Sequence, residues 1–147
     1  MSDYLDPNNE ELLKDFFAEA TSQVETLEQN VLVLENDPGN RDAIDEIFRA
    51  AHTLKGGSAT VEMTDLAQFT HLVEDVLDGL RSGKARADES LIDALLASID
   101  VIKGMLDAKS NGETYHGDIS AVKETLAAIK ANDGVAYRYP LTIRLIK

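Results

Sequence analysis

The residues of this chain best equipped for chemistry lie in Phe48-Arg49-Ala50-Ala51-His52-Thr53-Leu54-Lys55-Gly56-Gly57. A neutral imidazole is a nucleophile, and a phosphoryl group is one of the electrophiles it takes. Lys55, on the next turn of a helix, can offset the charge of an incoming phosphate. Gly56, one turn after His52, presents no side chain that would block a docking protein. Downstream, His71 and Glu74 are the right types to orient and tune the first imidazole. A carboxylate bonded to one ring nitrogen fixes the tautomer and leaves the lone pair of the other nitrogen exposed. A histidine held this way needs no pocket of its own, which suits carrying a phosphoryl group better than making one.

Helices must position these groups, and the apolar spacing supplies five helical segments. In the first, over about residues 9–35, Leu13, Phe16, Phe17, Ala20, Val24, Leu27, Val31 and Leu34 form one long stripe. Asp37-Pro38-Gly39-Asn40 stops it, and Asn40 is a candidate N-cap for the second, over about 41–57. Ile44, Ile47, Phe48, Ala51 and Leu54 make that helix's buried face, so Phe48 and Leu54 are assigned to the core. The third starts near Thr64, taken as its cap, and ends near Ser82-Gly83. The fourth opens at Asp88 and stops at Ser110-Asn111-Gly112, and a shorter fifth follows Gly117-Asp118. Short loops between long amphipathic helices favour antiparallel neighbours. The expected fold is therefore all-α, an antiparallel up-down four-helix bundle with an additional C-terminal fifth helix. Residues 1–131 form this bundle, and 132–147, with period-two alternation through Val135, Tyr137 and Tyr139, read as an extended tail or linker.

At ~100° per residue, His52 lies on the flank of the second helix's apolar stripe, together with Asp45, Arg49 and Gly56. His71 and Glu74 lie off the centre of the third stripe in the same rotational sense. If these two helices are antiparallel neighbours on one core, the flanks face each other and Glu74 can accept a hydrogen bond from His52. The solvent side around Asp45, Arg49, His52 and Gly56 is then the expected docking surface.

Composition narrows the function classes. A chain of 147 residues suits one domain with its own core. The absence of cysteine excludes a disulfide framework and a thiolate metal site, and fits a reducing cytoplasmic setting. No leader pattern and no run approaching the ~18 apolar residues of a membrane span can be read, so no membrane insertion is expected. With 27 acidic against 14 basic residues, a net charge of −13 argues against nucleic acid. No surplus apolar stripe demands a dimer, so the isolated domain is expected to be monomeric. Glu113-Thr114-Tyr115-His116 has the spacing of a di-iron motif in a single copy only, so no metal is expected.

Two other classes compete. A stand-alone enzyme fits worst, because no glycine-rich loop cradles ATP and no hydrolase set is visible. A structural or adaptor bundle explains the periodicity but leaves the flank histidine and the glycines unexplained. Residue by residue, Lys55 also suits the negative end of a helix dipole, His71 also suits plain surface packing, and Arg49 also reads as ordinary surface.

Ala51-His52-Thr53-Leu54-Lys55-Gly56-Gly57 resembles the phosphorylation-site signature of histidine phosphotransfer (HPt) domains. His71-Leu72-Val73-Glu74-Asp75-Val76-Leu77-Asp78 is similar to the second signature of one branch, the N-terminal phosphotransfer domains of CheA chemotaxis kinases. The resemblance covers about residues 10–131. It implies that His52 takes a phosphoryl group from an ATP-binding CheA catalytic domain and passes it to an aspartate of a CheY- or CheB-like response regulator. It also implies that Glu74 orients His52, that Lys55 and His71 tune the site, and that Gly56 leaves room. ATP would be used by the partner kinase domain, with no cofactor bound by this chain. The chain would be part of a histidine protein kinase, acting as phospho-acceptor and carrier, with the ATP-binding domain in cis or in trans. Ser58-Ala59-Thr60-Val61 departs from the family pattern, where more glycine and an aromatic are usual, which puts the local loop packing in question.

Overall fold

The computed structural model describes residues 10–131. They form α1 (Glu10–Asn36), α2 (Arg41–Thr60), α3 (Thr64–Arg81), α4 (Glu89–Ser110) and α5 (Ser120–Ala131), with no strand among the described residues. Short connections reverse the chain between α1, α2, α3 and α4. Each of these four packs on its two neighbours in a closed ring, and α5 lies on α3 and α4. This is the all-α bundle with a fifth helix that the apolar periods predict. The tail at 132–147 lies outside the described residues, as does Asn9.

The stripes become the core because their spacing matches the helical turn. Phe16, Ala20, Val24, Leu27, Val31 and Leu34 of α1 are all buried, as are Ile44, Ile47, Ala51 and Leu54 of α2. Each fully buried large aliphatic contributes about 1.5–3 kcal/mol relative to exposure. The pairing of α2 with α3 is the most extensive among the described helices. That pairing carries the candidate site.

Local chemistry sets the helix ends. Asn40 Oδ1 accepts from the Ala43 amide at 3.0 Å, and Asp88 Oδ1 accepts from the Leu91 amide at 2.9 Å, so both expected caps are formed. Thr64 is not a cap; it is the first residue of α3, and Met63 takes the cap position without a side-chain bond. The turn between α2 and α3 is too tight for the later start. The Met63 amide is already bonded to Ser58 O, and the Met63 side chain is buried.

α2 also runs three residues further than the glycines suggest, to Thr60 rather than Gly57. Burial overrides the weak propensity of the glycine pair. Ser58 is fully buried, with its hydroxyl donating to Leu54 O at 2.7 Å, and Val61 is buried beside it. Gly57 serves packing, since a Cβ there would lie 3.3 Å from Cδ1 of Phe16 on α1.

The ends of α2, α3 and α4 share one hydrogen-bond pattern, in which the second residue past the cap reaches back to the helix. Met63, Lys84 and Glu113 amides donate to Ser58, Gly79 and Ala108 carbonyls at 2.8, 2.9 and 2.7 Å. The pattern needs a left-handed residue, supplied by Gly83 (φ 84°), Gly112 (φ 74°) and, after α2, Glu62 (φ 59°). Glu62 has a Cβ, so its conformation costs about 1–2 kcal/mol that glycine would avoid.

Candidate functional site

The tight α2–α3 turn lays the flank of α2 against the flank of α3, and the ring of His52 meets the carboxylate of Glu74. His52 Nδ1 donates to Glu74 Oε2 at 2.5 Å. Lys55 Nζ donates to the other oxygen, Oε1, at 2.6 Å. The His52 side chain is 63% exposed while that of Glu74 is only 9% exposed. A buried acceptor thus anchors an exposed ring.

Burial alone would push the Glu74 carboxyl up. The hydrogen bonds from Lys55 and His52, with the positive charge of both groups, outweigh that and hold it below its ordinary value. Glu74 is therefore ionised near neutral pH and can only accept hydrogen bonds. The shared proton is then assigned to Nδ1 of the ring, and in the neutral imidazole the lone pair sits on Nε2. Among the described residues nothing bonds Nε2. The arrangement presents an oriented, solvent-facing nitrogen nucleophile.

Lys55 is drawn into this network through Glu74, on the same carboxylate that anchors the ring. His71 lies elsewhere. Its Nε2 is 3.6 Å from Asp75 Oδ2, which also accepts from Lys130 of α5 at 2.8 Å. His71, Lys55, Gly56, Leu72 and Lys130 line an open groove of about 690 Å³ beside the site. A Cβ on Gly56 would meet nothing within 4 Å, so this position borders open space. Arg49 is exposed and pairs with Glu46 at 3.0 Å, while Asp45 is half-buried one turn before it.

Phe48 departs from its assignment to the core. Its ring is half-buried, lies parallel to the His52 ring (centroids 6.3 Å apart, planes 12° apart), and carries the guanidinium of Arg81, whose Cζ is 3.9 Å from the ring centroid. Residues four apart on a helix are neighbours, so the Phe48–His52 contact was available from spacing. Arg81 comes from the far end of α3, and no local signal pairs it with Phe48.

Among the described residues no cluster of three or more His, Cys, Asp or Glu could hold a metal ion. Within the Glu113–His116 stretch Tyr115 packs against the core, while Glu113, Thr114 and His116 are exposed. A Cβ on Gly104 would come within 2.6 Å of the Tyr115 ring, so that ring rests against the α4 backbone. No helix among the described residues is long and apolar enough to cross a membrane.

Comparison with known proteins adds to this geometry. The Hpt domain family model matches residues 11–112. The chemotaxis protein CheA of Treponema pallidum is 65% identical over 120 residues, which are 82% of this chain and 15% of that protein. CheA of Borreliella burgdorferi is 55% identical over 122 residues, 83% of this chain and 14% of that protein. The chain thus spans about one-seventh of the length of these relatives. Among solved structures, the solution structure of a CheA histidine phosphotransfer domain superposes with a TM-score of 0.74 at 30% identity, covering 82% of this chain and 92% of that one. The phosphorylated P1 domain of CheA3 from R. sphaeroides, in complex with CheY6, shares the fold with a TM-score of 0.75 at 22% identity, covering 84% of this chain and 98% of that one.

Proposed function

The chain belongs to the Hpt domain family, and on that premise we propose that it is the phosphotransfer module of a CheA-type chemotaxis kinase, with His52 as the residue that carries the phosphoryl group. The observation that carries this reading is the exposed His52 ring, tied at Nδ1 to a buried, ionised Glu74 and free at Nε2. The Nε2 lone pair attacks the γ-phosphorus of ATP held by a CheA catalytic domain. The N–P bond forms as the bond to the bridging β–γ oxygen breaks, and ADP leaves with that electron pair. The ring keeps its Nδ1 proton and gains positive character, which the Glu74 carboxylate stabilises. In the second step a carboxylate oxygen of an aspartate on a CheY- or CheB-like regulator attacks the same phosphorus. The N–P bond breaks and its electron pair returns to Nε2.

Each residue has a part in this scheme. Glu74 selects the tautomer and orients the ring. Lys55 lowers the proton affinity of Glu74 and keeps positive charge close to the phosphoryl group. Gly56 leaves the approach clear, and Asp45 and Arg49 border the surface on which the regulator docks. His71 borders the neighbouring groove and adjusts the field at the site's edge. ATP belongs to the partner kinase domain, this chain binds no cofactor, and the module acts in the cytoplasm. The P1 domain of CheA3, whose fold it shares, is known phosphorylated and in complex with CheY6, a partner of the same class.

Incubation with labelled ATP and a separate CheA catalytic core tests the reading. Wild-type protein is expected to take up label that is lost in acid and kept in base, and then to pass it to a CheY-type regulator. His52→Gln should take up none. A folded wild-type bundle that several active cores leave unlabelled would overturn the proposal.

A further inference from the structure

The His52 ring is held by its Cβ–Cγ bond and by one hydrogen bond, from Nδ1 to Glu74. That bond sets the ring's orientation, but the side chain is 63% exposed and the ring retains libration through χ1 and χ2. A reactive Nε2 that swings spends less time aligned with phosphorus, and small misplacements of reacting atoms are costly. A second restraint lies one turn back on α2. The Phe48 ring is nearly parallel to the imidazole at a centroid distance of 6.3 Å, within the range of offset stacking.

Phe48 is itself only half-buried: it packs against the core, and Arg81 lies over its ring. The guanidinium lies over the ring with Cζ 3.9 Å from the centroid, the geometry of a cation–π contact. Arg81 is the last residue of α3, and its carbonyl accepts from Arg41 Nη2 at 2.5 Å. Its guanidinium also lies 3.6 Å from Asp78 Oδ1. The backbone at the end of α3 is thus tied to α2, while the guanidinium reaches Asp78 on its own helix and the Phe48 ring across the α2–α3 seam.

Resting on the phosphotransfer reading above, we propose that Arg81 is a positioning residue for His52, acting through Phe48: it clamps the Phe48 ring, and that ring holds the imidazole plane. Arg81 touches neither the phosphoryl group nor His52. Its effect belongs to the chemical step and vanishes when Phe48 is absent.

The test uses Arg81→Ala, Arg81→Lys, Phe48→Leu and the Arg81→Ala/Phe48→Leu double variant. Each is phosphorylated by a CheA catalytic core, and single-turnover transfer to a CheY-type regulator is followed at varied regulator concentration. Arg81→Ala should lower the limiting rate constant by roughly threefold to tenfold at unchanged half-saturation. Arg81→Lys should recover most of that loss. Phe48→Leu should match Arg81→Ala, and the double variant should be no slower than either. Imidazole ¹⁵N–¹H spectra provide a reading that needs no ATP. The Nδ1–H signal of His52 should broaden in Arg81→Ala and sharpen again in Arg81→Lys, with thermal melting unchanged.

A rate within 1.5-fold of wild type, a change in half-saturation alone, or multiplicative losses in the double variant would overturn the proposal. A wild-type protein that is never phosphorylated would instead refute the phosphotransfer reading. The ring spectra would still report whether Arg81 positions His52, and an unchanged Nδ1–H signal in Arg81→Ala would then sink the clamp by itself.

Discussion

Replacing Glu74 with glutamine keeps the side chain's shape and removes its charge, which isolates the tautomer argument. Glu74 receives two donors on opposite oxygens, Lys55 Nζ at 2.6 Å and His52 Nδ1 at 2.5 Å. A glutamine has one acceptor oxygen and one NH₂ group. The Lys55 ammonium can only donate, so it takes the oxygen. The NH₂ then faces Nδ1, which must accept and give up its proton. The neutral ring is left with its proton on Nε2 and no lone pair there. A hydrogen bond to a charged partner is worth about 1.5–3 kcal/mol, so the reactive tautomer falls about tenfold to a hundredfold. The same factor is expected in the initial rate of label uptake from ATP with a saturating CheA catalytic core. Ring ¹⁵N shifts should show the proton moved from Nδ1 to Nε2. Lys55 is 27% exposed and can extend its ammonium to water, so melting should drop by only a few degrees. A rate within twofold of wild type would refute the reasoning, as would a large loss of rate with the Nδ1–H tautomer intact.

Three further outcomes are expected from the same geometry. Glu62→Gly removes the Cβ from a left-handed position with φ 59° and should raise stability by about 0.5–1 kcal/mol in urea unfolding, whereas a loss would contradict the turn geometry. Gly56→Ala adds a methyl to a helix-interior site with nothing within 4 Å, and should stabilise by about 0.5–1 kcal/mol while slowing transfer to the regulator; unchanged transfer would remove Gly56 from the docking surface. Because the Glu74 carboxyl is held below its ordinary value of 4.5, its ionised form stabilises the fold above that pH, and the contribution is lost as pH falls through the lower folded value. Unfolding midpoints should therefore fall more steeply below about pH 4.5 in wild type than in Glu74→Gln, and parallel acid limbs would contradict the assignment.

The sequence makes the scaffold of the site readable, because both the helices and their flanks follow from one period. The spacing of Ile44, Ile47, Ala51 and Leu54 places His52 off the buried stripe. The stripe of α3 does the same for Glu74, and antiparallel pairing closes the distance between them. Asn40 and Asp88 are visible as caps because capping is a local bond. What is not legible depends on burial or on distant partners. The glycine pair at 56 and 57 reads as a stop, yet α2 continues, since the buried Ser58 and Val61 stabilise another turn and Phe16 occupies the space over Gly57. Thr64 reads as a cap by type, but the bond from the Met63 amide to Ser58 O fixes an earlier start. A phenylalanine at the edge of an apolar stripe reads as core. Spacing of four sets Phe48 beside His52, but only the tertiary packing shows that its ring is half-buried and carries Arg81.

The most direct test of the account is the atom that carries phosphorus. The domain, labelled with ¹⁵N in its histidine rings and phosphorylated by a CheA catalytic core, can be read by ¹⁵N–³¹P coupling. Coupling to His52 Nε2, with the proton retained on Nδ1, is the predicted result, because Glu74 occupies Nδ1. Phosphorus on Nδ1 of His52, or on another histidine, would contradict it.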